Sequence, residues 1–164
     1  MDDSADAFRQ AFRRHAAGVA AITSRAPDGS PVGFTATSVA SLAAVPPLVT
    51  FNMARTASAF PAIVVGNLVA IHMLGPRSQY IAERMAADNA LRFDGDHWTD
   101  DEHGVPILND VTAVMVARIV EVFPVANNAV VVAQVEGGEL GAPDEALVYH
   151  ERMYMTPAPI AHPE

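Results

Sequence analysis

Residues 33–39 read Gly33-Phe34-Thr35-Ala36-Thr37-Ser38-Val39, and this segment decides how the chain is interpreted. It lies in a longer stretch, 32–40, whose Val, Thr, Phe and Ser residues favour extended structure. Three hydroxyl groups within four residues need hydrogen-bond partners if the strand is buried. A bound cofactor or phosphate could supply those partners, whereas a strand with one solvated hydroxyl face would not need them. The spacing alone leaves both interpretations open.

A second polar segment, residues 52–58, follows a strand predicted for 48–53. We expect Thr56 or Ser58 to begin a short helix that runs to residue 65 and ends at Gly66. Because a helix N-terminus has free N–H groups, it can bind an anion, and the segment is a candidate phosphate site. Arg55 or Arg84 would supply the cation. The alternative is simple capping, with Arg55 in solvent.

The remaining chain predicts many strands and few helices. A first helix is capped by Ser4, carries Phe8 and Phe12 on its apolar side and stops at Gly18, while a second spans 78–87. The other predicted segments are a turn at 26–29, an acidic loop at 94–103, and strands at 19–23, 32–40, 68–74, 111–122, 129–135 and 147–154.

This order of segments predicts an α+β, mainly β fold: an antiparallel, Greek-key-like barrel with a few short helices. Strands and helices do not alternate regularly, and no Gly-x-Gly-x-x-Gly motif follows a strand. The pattern therefore argues against a Rossmann fold.

Composition excludes several kinds of chemistry. The 164 residues fit one domain, and 51% of them are hydrophobic. The chain contains no cysteine and no lysine, so thiolate metal sites, Schiff bases and a Walker A loop are excluded. The net charge of −9 argues against nucleic acid as a partner. No stretch resembles a signal peptide or a membrane span, and we expect a cytoplasmic protein.

Several histidines are candidate functional residues. His97 and His103 lie among acidic residues, but their spacing matches no metal-ligand pattern. His72 lies in an apolar strand and is expected to be a hydrogen-bonded core residue. His150 and Tyr154 would share a face of one strand, near a ligand or at a half-buried surface. The methionines at four positions are expected to fill the core: Met53, Met73, Met85 and Met115.

An ordered set of segments resembles the flavin reductase family. The segments are FRRHAAGVAAIT (12–23), GFTATS (33–38), PPLVTF (46–51), ALRF (90–93) with GVPIL (104–108), and LVYH (147–150) with Tyr154. Together they run from about residue 7 to residue 154. Members of this family are short-chain NAD(P)H:flavin reductases that serve as small components of two-component monooxygenases.

The resemblance implies an FMN-binding split β-barrel, usually a homodimer, that reduces FMN or FAD with NADH or NADPH. A flavin-dependent monooxygenase would receive the reduced flavin. The implied flavin contacts are Thr35, Ala36, Thr37, Ser38, Asn52, Met53 and Ala54, and the implied phosphate contacts are Thr56, Ala57, Ser58 and Arg84. The family's reaction needs no catalytic acid, base or metal from the chain, because the cofactors carry the chemistry.

One segment departs from the family pattern. Many relatives have Gly-Asp-His, with the histidine beside the nicotinamide, where this chain has Ala126-Asn127-Asn128. Asn128 can form hydrogen bonds but carries no charge. We expect Asn128, His150 and Tyr154 on the nicotinamide side. Two alternatives remain: a flavin-binding protein with little NAD(P)H oxidation, and a flavoenzyme whose tightly bound flavin reduces a small organic substrate.

Overall fold

The computed structural model describes residues 3–162, and most of its regular structure is β-strand. Two α-helices are present in that range: α1 (Asp3–Arg14) and α2 (Gln79–Ala86). Single turns of 3₁₀-helix lie at Phe60–Ala62, Pro76–Ser78 and Asn89–Leu91. The strands are β1 (Ala17–Gly18), β2 (Ala20–Arg25), β3 (Pro31–Ala36), β4 (Ala40–Ala44), β5 (Pro47–Ala54), β6 (Leu68–Met73), β7 (Trp98–Asp100), β8 (Pro106–Leu108), β9 (Ala113–Val125), β10 (Asn128–Leu140), β11 (Val148–His150) and β12 (Met153–Met155).

Seven strands form one antiparallel sheet in the order β3-β2-β6-β9-β10-β5-β4. The sheet curls until β3 faces β5, and the Phe34 and Phe51 rings lie 6.1 Å apart inside it. No backbone ladder joins β3 to β5 within residues 3–162. Instead, the Ser38 hydroxyl oxygen accepts a hydrogen bond of 2.9 Å from the Asn52 backbone N–H. This is the predicted split β-barrel, and the mainly β fold class is confirmed.

Hydrophobic side chains fill both sides of the sheet. Along β5, Val49, Phe51 and Met53 point into the barrel and are buried, whereas Asn52 and Ala54 are exposed on the other face. A second cluster, which includes Ile81 and Met85 of α2, covers the outer face of the sheet. The alternation along the strands therefore produces one core inside the barrel and another beneath α2.

Several sequence predictions are confirmed. The turn at residues 26–29 is present, with Gly29 at φ 86° and its N–H bonded to the Ala26 carbonyl. The predicted helix at 78–87 is α2. The four methionines are buried in the core or packed against it. Within residues 3–162, no helix is long and apolar enough to cross a membrane.

His72 is the predicted core histidine. Its side chain is fully buried, with Nδ1 3.0 Å from the Ala21 carbonyl oxygen. Its Nε2 accepts a hydrogen bond from the Leu108 N–H, also at 3.0 Å. Burial lowers the pKa of His72 to about 4. The neutral ring therefore joins β2, β6 and β8.

Helix boundaries are corrected in two places. α1 ends at Arg14 rather than at Gly18, because residues 17 and 18 pair with β11. Ser4 lies inside α1 and not before it. The helix expected over 56–65 is wrong, since only the 3₁₀ turn at Phe60–Ala62 forms. Pro61 lies inside that turn, and because it has no N–H to donate it would interrupt an α-helix that begins at Thr56.

Strand boundaries are corrected in three places. The strand predicted over 32–40 is two strands, β3 and β4, with residues 37–39 between them. The strand predicted over 147–154 is a hairpin, β11 and β12, whose two-residue turn is Glu151-Arg152. Both turn residues have positive φ, 48° and 63°. The acidic loop at 94–103 contains β7, which pairs with β8.

Candidate functional site at the split of the barrel

A cavity of about 560 Å³ opens where the barrel lacks a ladder. One wall consists of residues 37–40 and Asn52. The facing wall comes from the end of α1 and from the β1–β11 pair, and consists of Phe12, His15, Ala17 and Tyr149. The volume lies in the usual range for sites that bind small molecules.

The polar wall of this cavity has unused hydrogen-bonding groups. Since β3 ends at Ala36, residues 37–39 belong to no strand. Within residues 3–162, their backbone N–H groups and the Thr37 hydroxyl have no hydrogen-bond partner. Donors of this kind suit the ring oxygens and nitrogens of a flavin. Aromatic side chains on the facing wall suit its faces. The residues present therefore fit a flavin.

Three predicted flavin contacts direct their side chains away from the cavity. The Thr35 hydroxyl donates a hydrogen bond of 2.6 Å to the Ala82 carbonyl and so fastens β3 to α2. Ala36 and Met53 are buried in the barrel core. Any contact of these residues with a ligand in the cavity would involve their backbone atoms.

The tip of the β9–β10 hairpin lies beside the end of β5. Asn128 is opposite Ala54 in the ladder, and the Arg55 N–H donates to the Asn127 carbonyl at 2.9 Å. The Arg55 guanidinium donates to the Ala126 carbonyl at 3.2 Å. The structure thus brings the end of β5, which is predicted to contact the flavin, next to residues 126–128, which depart from the family pattern.

The candidate phosphate loop is an irregular turn and offers no α-helix N-terminus. Thr56 and Ser58 are exposed, and the Ser58 hydroxyl donates to Oδ1 of Asn89 at 3.1 Å. The Arg84 guanidinium donates to the carbonyls of Leu91 and Asp94. Ser58 and Arg84 therefore both contact the segment that follows α2.

The predicted pair His150 and Tyr154 is separated by the hairpin turn. Tyr154 lies directly opposite Tyr149, with ring centroids 5.3 Å apart, so His150 and Tyr154 are on opposite faces and not on one face as predicted. His150 Nε2 lies 3.1 Å from the Arg14 carbonyl oxygen. Burial raises the pKa of Tyr154 above its ordinary value.

Sequence reasoning missed three residues of the cavity: Phe12, His15 and Tyr149. The spacing of Phe12 predicts only a place on the apolar side of a helix. Pairing of Ala17 with Tyr149 brings all three to the cavity, and the two strands are far apart in sequence. The sequence does offer one signal for these residues: the segments 12–23 and 147–150 both belong to the set that resembles the flavin reductase family.

Comparison with known proteins identifies the family of this chain. The family model described as "Flavin reductase like domain" matches residues 12–158. The chain belongs to the flavin reductase family.

Individual relatives cover nearly the same residues. An NADH:FMN oxidoreductase from Rhodococcus qingshengii is 37% identical over an alignment of 158 positions, and the match covers 93% of this chain and 82% of the relative. The crystal structure of a flavin reductase domain protein from Arthrobacter sp. FB24 has 46% identity and a TM-score of 0.92, covering 96% of this chain and 98% of its own. A nitrilotriacetate monooxygenase component B from Mycobacterium thermoresistibile, 24% identical, shares the fold, with a TM-score of 0.84 and coverages of 96% and 93%.

Proposed function

We propose that this protein is an NADH-dependent flavin reductase that reduces FMN and releases it to a partner monooxygenase. The observation that carries the proposal is the cavity at the split of the barrel, where unpartnered donors of residues 37–39 face Phe12 and Tyr149. Family membership and the NADH:FMN oxidoreductase relative support the choice of reaction and of cofactors.

In this proposal, the backbone N–H groups of residues 37–39 would hold the flavin ring by hydrogen bonds and would stabilise negative charge on it. The backbones of Thr35 and Ala36 complete this edge of the site. Asn52 and Ala54 share the outer face of β5, so the ribityl chain would follow that face with Met53 beneath it. Thr56, Ala57 and Ser58 would hold the phosphate. Arg84 would join them by exchanging one of its carbonyl partners.

Bound flavin and nicotinamide supply the hydride acceptor and donor, so the chain's own task is to hold the two rings in contact. Asn128, beside Ala54, can form a hydrogen bond with the nicotinamide carboxamide. His150 and Tyr154 do not line the cavity but support the wall formed by α1 and the β1–β11 pair. Tyr154 packs against Tyr149, and His150 contacts the end of α1.

Two further parts of the proposal concern assembly and location. The monooxygenase partner is supported by the component B relative, which is named as part of such a system. A homodimer is supported by exposed apolar residues at the barrel edge, where Leu42 and Val45 are 56% and 92% exposed. The cysteine-free composition, which suits a reducing compartment, supports a cytoplasmic location.

The test is NADH and NADPH oxidation by purified protein with excess FMN or FAD, followed at the nicotinamide absorbance band. We expect continuous oxidation that requires added flavin. Flavin binding without NAD(P)H oxidation would refute the proposal in favour of a binding protein. Flavin that co-purifies and does not exchange would instead indicate a flavoenzyme with its own small organic substrate.

A further inference from the structure

A groove on α1 continues the candidate flavin cavity. This groove has a volume of about 410 Å³ and shares Phe12, His15 and Tyr149 with the cavity at the split. Its other lining includes Phe8, Arg9 and Arg13 of α1 and the hairpin turn Glu151-Arg152. A ligand longer than one flavin ring could therefore occupy the cavity and the groove together.

Three arginines in or beside this groove differ from the other seven. All ten basic side chains are arginines, and the net charge is −9. Within residues 3–162, seven guanidinium groups form an ion pair or donate to a carbonyl oxygen; these are Arg9, Arg25, Arg55, Arg77, Arg84, Arg92 and Arg118.

The three guanidinium groups without such a partner in that range are Arg13, Arg14 and Arg152. Arg13 and Arg152 line the groove, and Arg14 lines an adjoining cavity together with Arg13. The carboxylates here are Asp6, which is engaged by Arg9 and Gln10, and Glu151. The groove thus combines available cations with an apolar surface.

The dipole of α1 explains the positions of only two of these three arginines. Basic residues in the last turn of a helix interact favourably with its dipole, which suits Arg13 and Arg14. Arg152 is in a hairpin turn at φ 63°, a conformation in which glycine or asparagine is the usual residue. The positive φ costs free energy, and the Arg152 side chain forms no hydrogen bond within residues 3–162 that would offset it. A contact with a ligand would explain why an arginine stands here.

We propose that this groove binds the adenosine diphosphate half of NAD(P)H. Arg13 and Arg152 contact the pyrophosphate, because guanidinium groups pair well with phosphate oxygens. Phe8 and Phe12 are 62% and 60% exposed, with ring centroids 4.7 Å apart, and present an apolar face for the adenine. The inference rests on the proposed function, which places the redox half of the dinucleotide in the adjoining cavity.

The direct test is calorimetric titration of the full-length protein with ADP. Arg13→Ala and Arg152→Gly should each weaken ADP binding about tenfold, the loss typical of one charge-assisted contact. Arg77→Ala is the matched control, because it removes an exposed arginine outside the groove. Arg152→Gly should also raise the thermal unfolding temperature by relieving the strained turn. A purely structural arginine would not combine greater stability with weaker ADP binding.

Two comparisons test the assignment of the groove to NAD(P)H. If NAD(P)H occupies the groove, the variants raise KM for NADH with kcat unchanged. They leave KM for reduced nicotinamide mononucleotide, which lacks the adenylate half, as in wild type. A raised Kd for FAD with an unchanged Kd for FMN would instead place a flavin adenylate in the groove and overturn the assignment to NAD(P)H.

The proposed function and this inference can fail separately. No NADH oxidation by wild type would overturn the proposed function, while the ADP titration would still decide the role of the groove. Failure of wild type to bind ADP, or equal ADP affinity in wild type, Arg13→Ala and Arg152→Gly, would overturn the inference.

Discussion

At the scale of single residues, His72 makes stability depend on pH. Its two hydrogen bonds need the neutral ring with the proton on Nδ1, and burial lowers its pKa to about 4. The unfolded chain takes up this proton near pH 6.5, whereas the folded protein resists it. The stabilisation is therefore complete above about pH 6.5 and is lost as the pH falls towards 4, with a loss of about 2 kcal/mol at pH 5. Urea unfolding at pH 7 and pH 5 measures it, with His72→Gln as the comparison. If wild type and His72→Gln lose the same unfolding free energy between pH 7 and pH 5, His72 is not the source of the pH dependence.

Ser38 provides the residue-scale test of the flavin site. Ser38→Arg places a bulky charge on the cavity wall and should weaken FMN binding by about a hundredfold or more, because the pocket must then accommodate an unpaired guanidinium. Ser41→Arg is the control, since Ser41 is exposed on β4 and does not line the cavity. Fluorescence titration of FMN measures both. Unchanged affinity in a folded Ser38→Arg protein would refute the placement.

At the scale of elements, the β9–β10 hairpin presents Asn128 to the end of β5. Asn128→Ala should raise KM for NADH about fivefold and leave the FMN dissociation constant unchanged, because one neutral hydrogen bond contributes about 1 kcal/mol. Asn127→Ala is the control at the adjacent position, where only the backbone contacts Arg55. Steady-state kinetics measure the change. Equal KM values in the two variants would show that Asn128 does not contact the nicotinamide.

The elements also show what the sequence predicts well. Runs of β-branched residues predicted nearly every strand of the barrel, because alternating burial is a local pattern. The prediction missed the β11–β12 hairpin, since Glu151-Arg152 lacks the Gly or Asn that signals such a turn. It extended β3 through residues 37–39, where the chain leaves the sheet. It expected a helix over 56–65, where only the 3₁₀ turn that contains Pro61 forms.

At the scale of the whole molecule, the cavity exists because the sheet curls without closing. Residues 37–39 and Asn52 could be predicted from local polarity and family resemblance, but Phe12, His15 and Tyr149 could not. Their placement depends on pairing between β1 and β11, which lie at opposite ends of the chain. Long-range pairing of this kind leaves no local pattern.

The apolar edge of the barrel leads to a prediction about assembly. We expect a dimer with twice the chain mass of 17.4 kDa, because burial of Leu42 and Val45 removes exposed apolar surface from water. Val45→Glu should shift the population towards monomer. Sedimentation equilibrium measures the mass, and Val65→Glu, also exposed but away from β4, is the control. A wild-type monomer at micromolar concentration would contradict the dimer.

The most direct measurement is an anaerobic assay of NADH consumed and free FMN reduced per chain, with both in large molar excess. The proposed function predicts many equivalents of reduced FMN in solution for each chain, with one NADH oxidised for each FMN reduced. Reduction that stops at one bound flavin per chain, or no NADH oxidation at all, would contradict it.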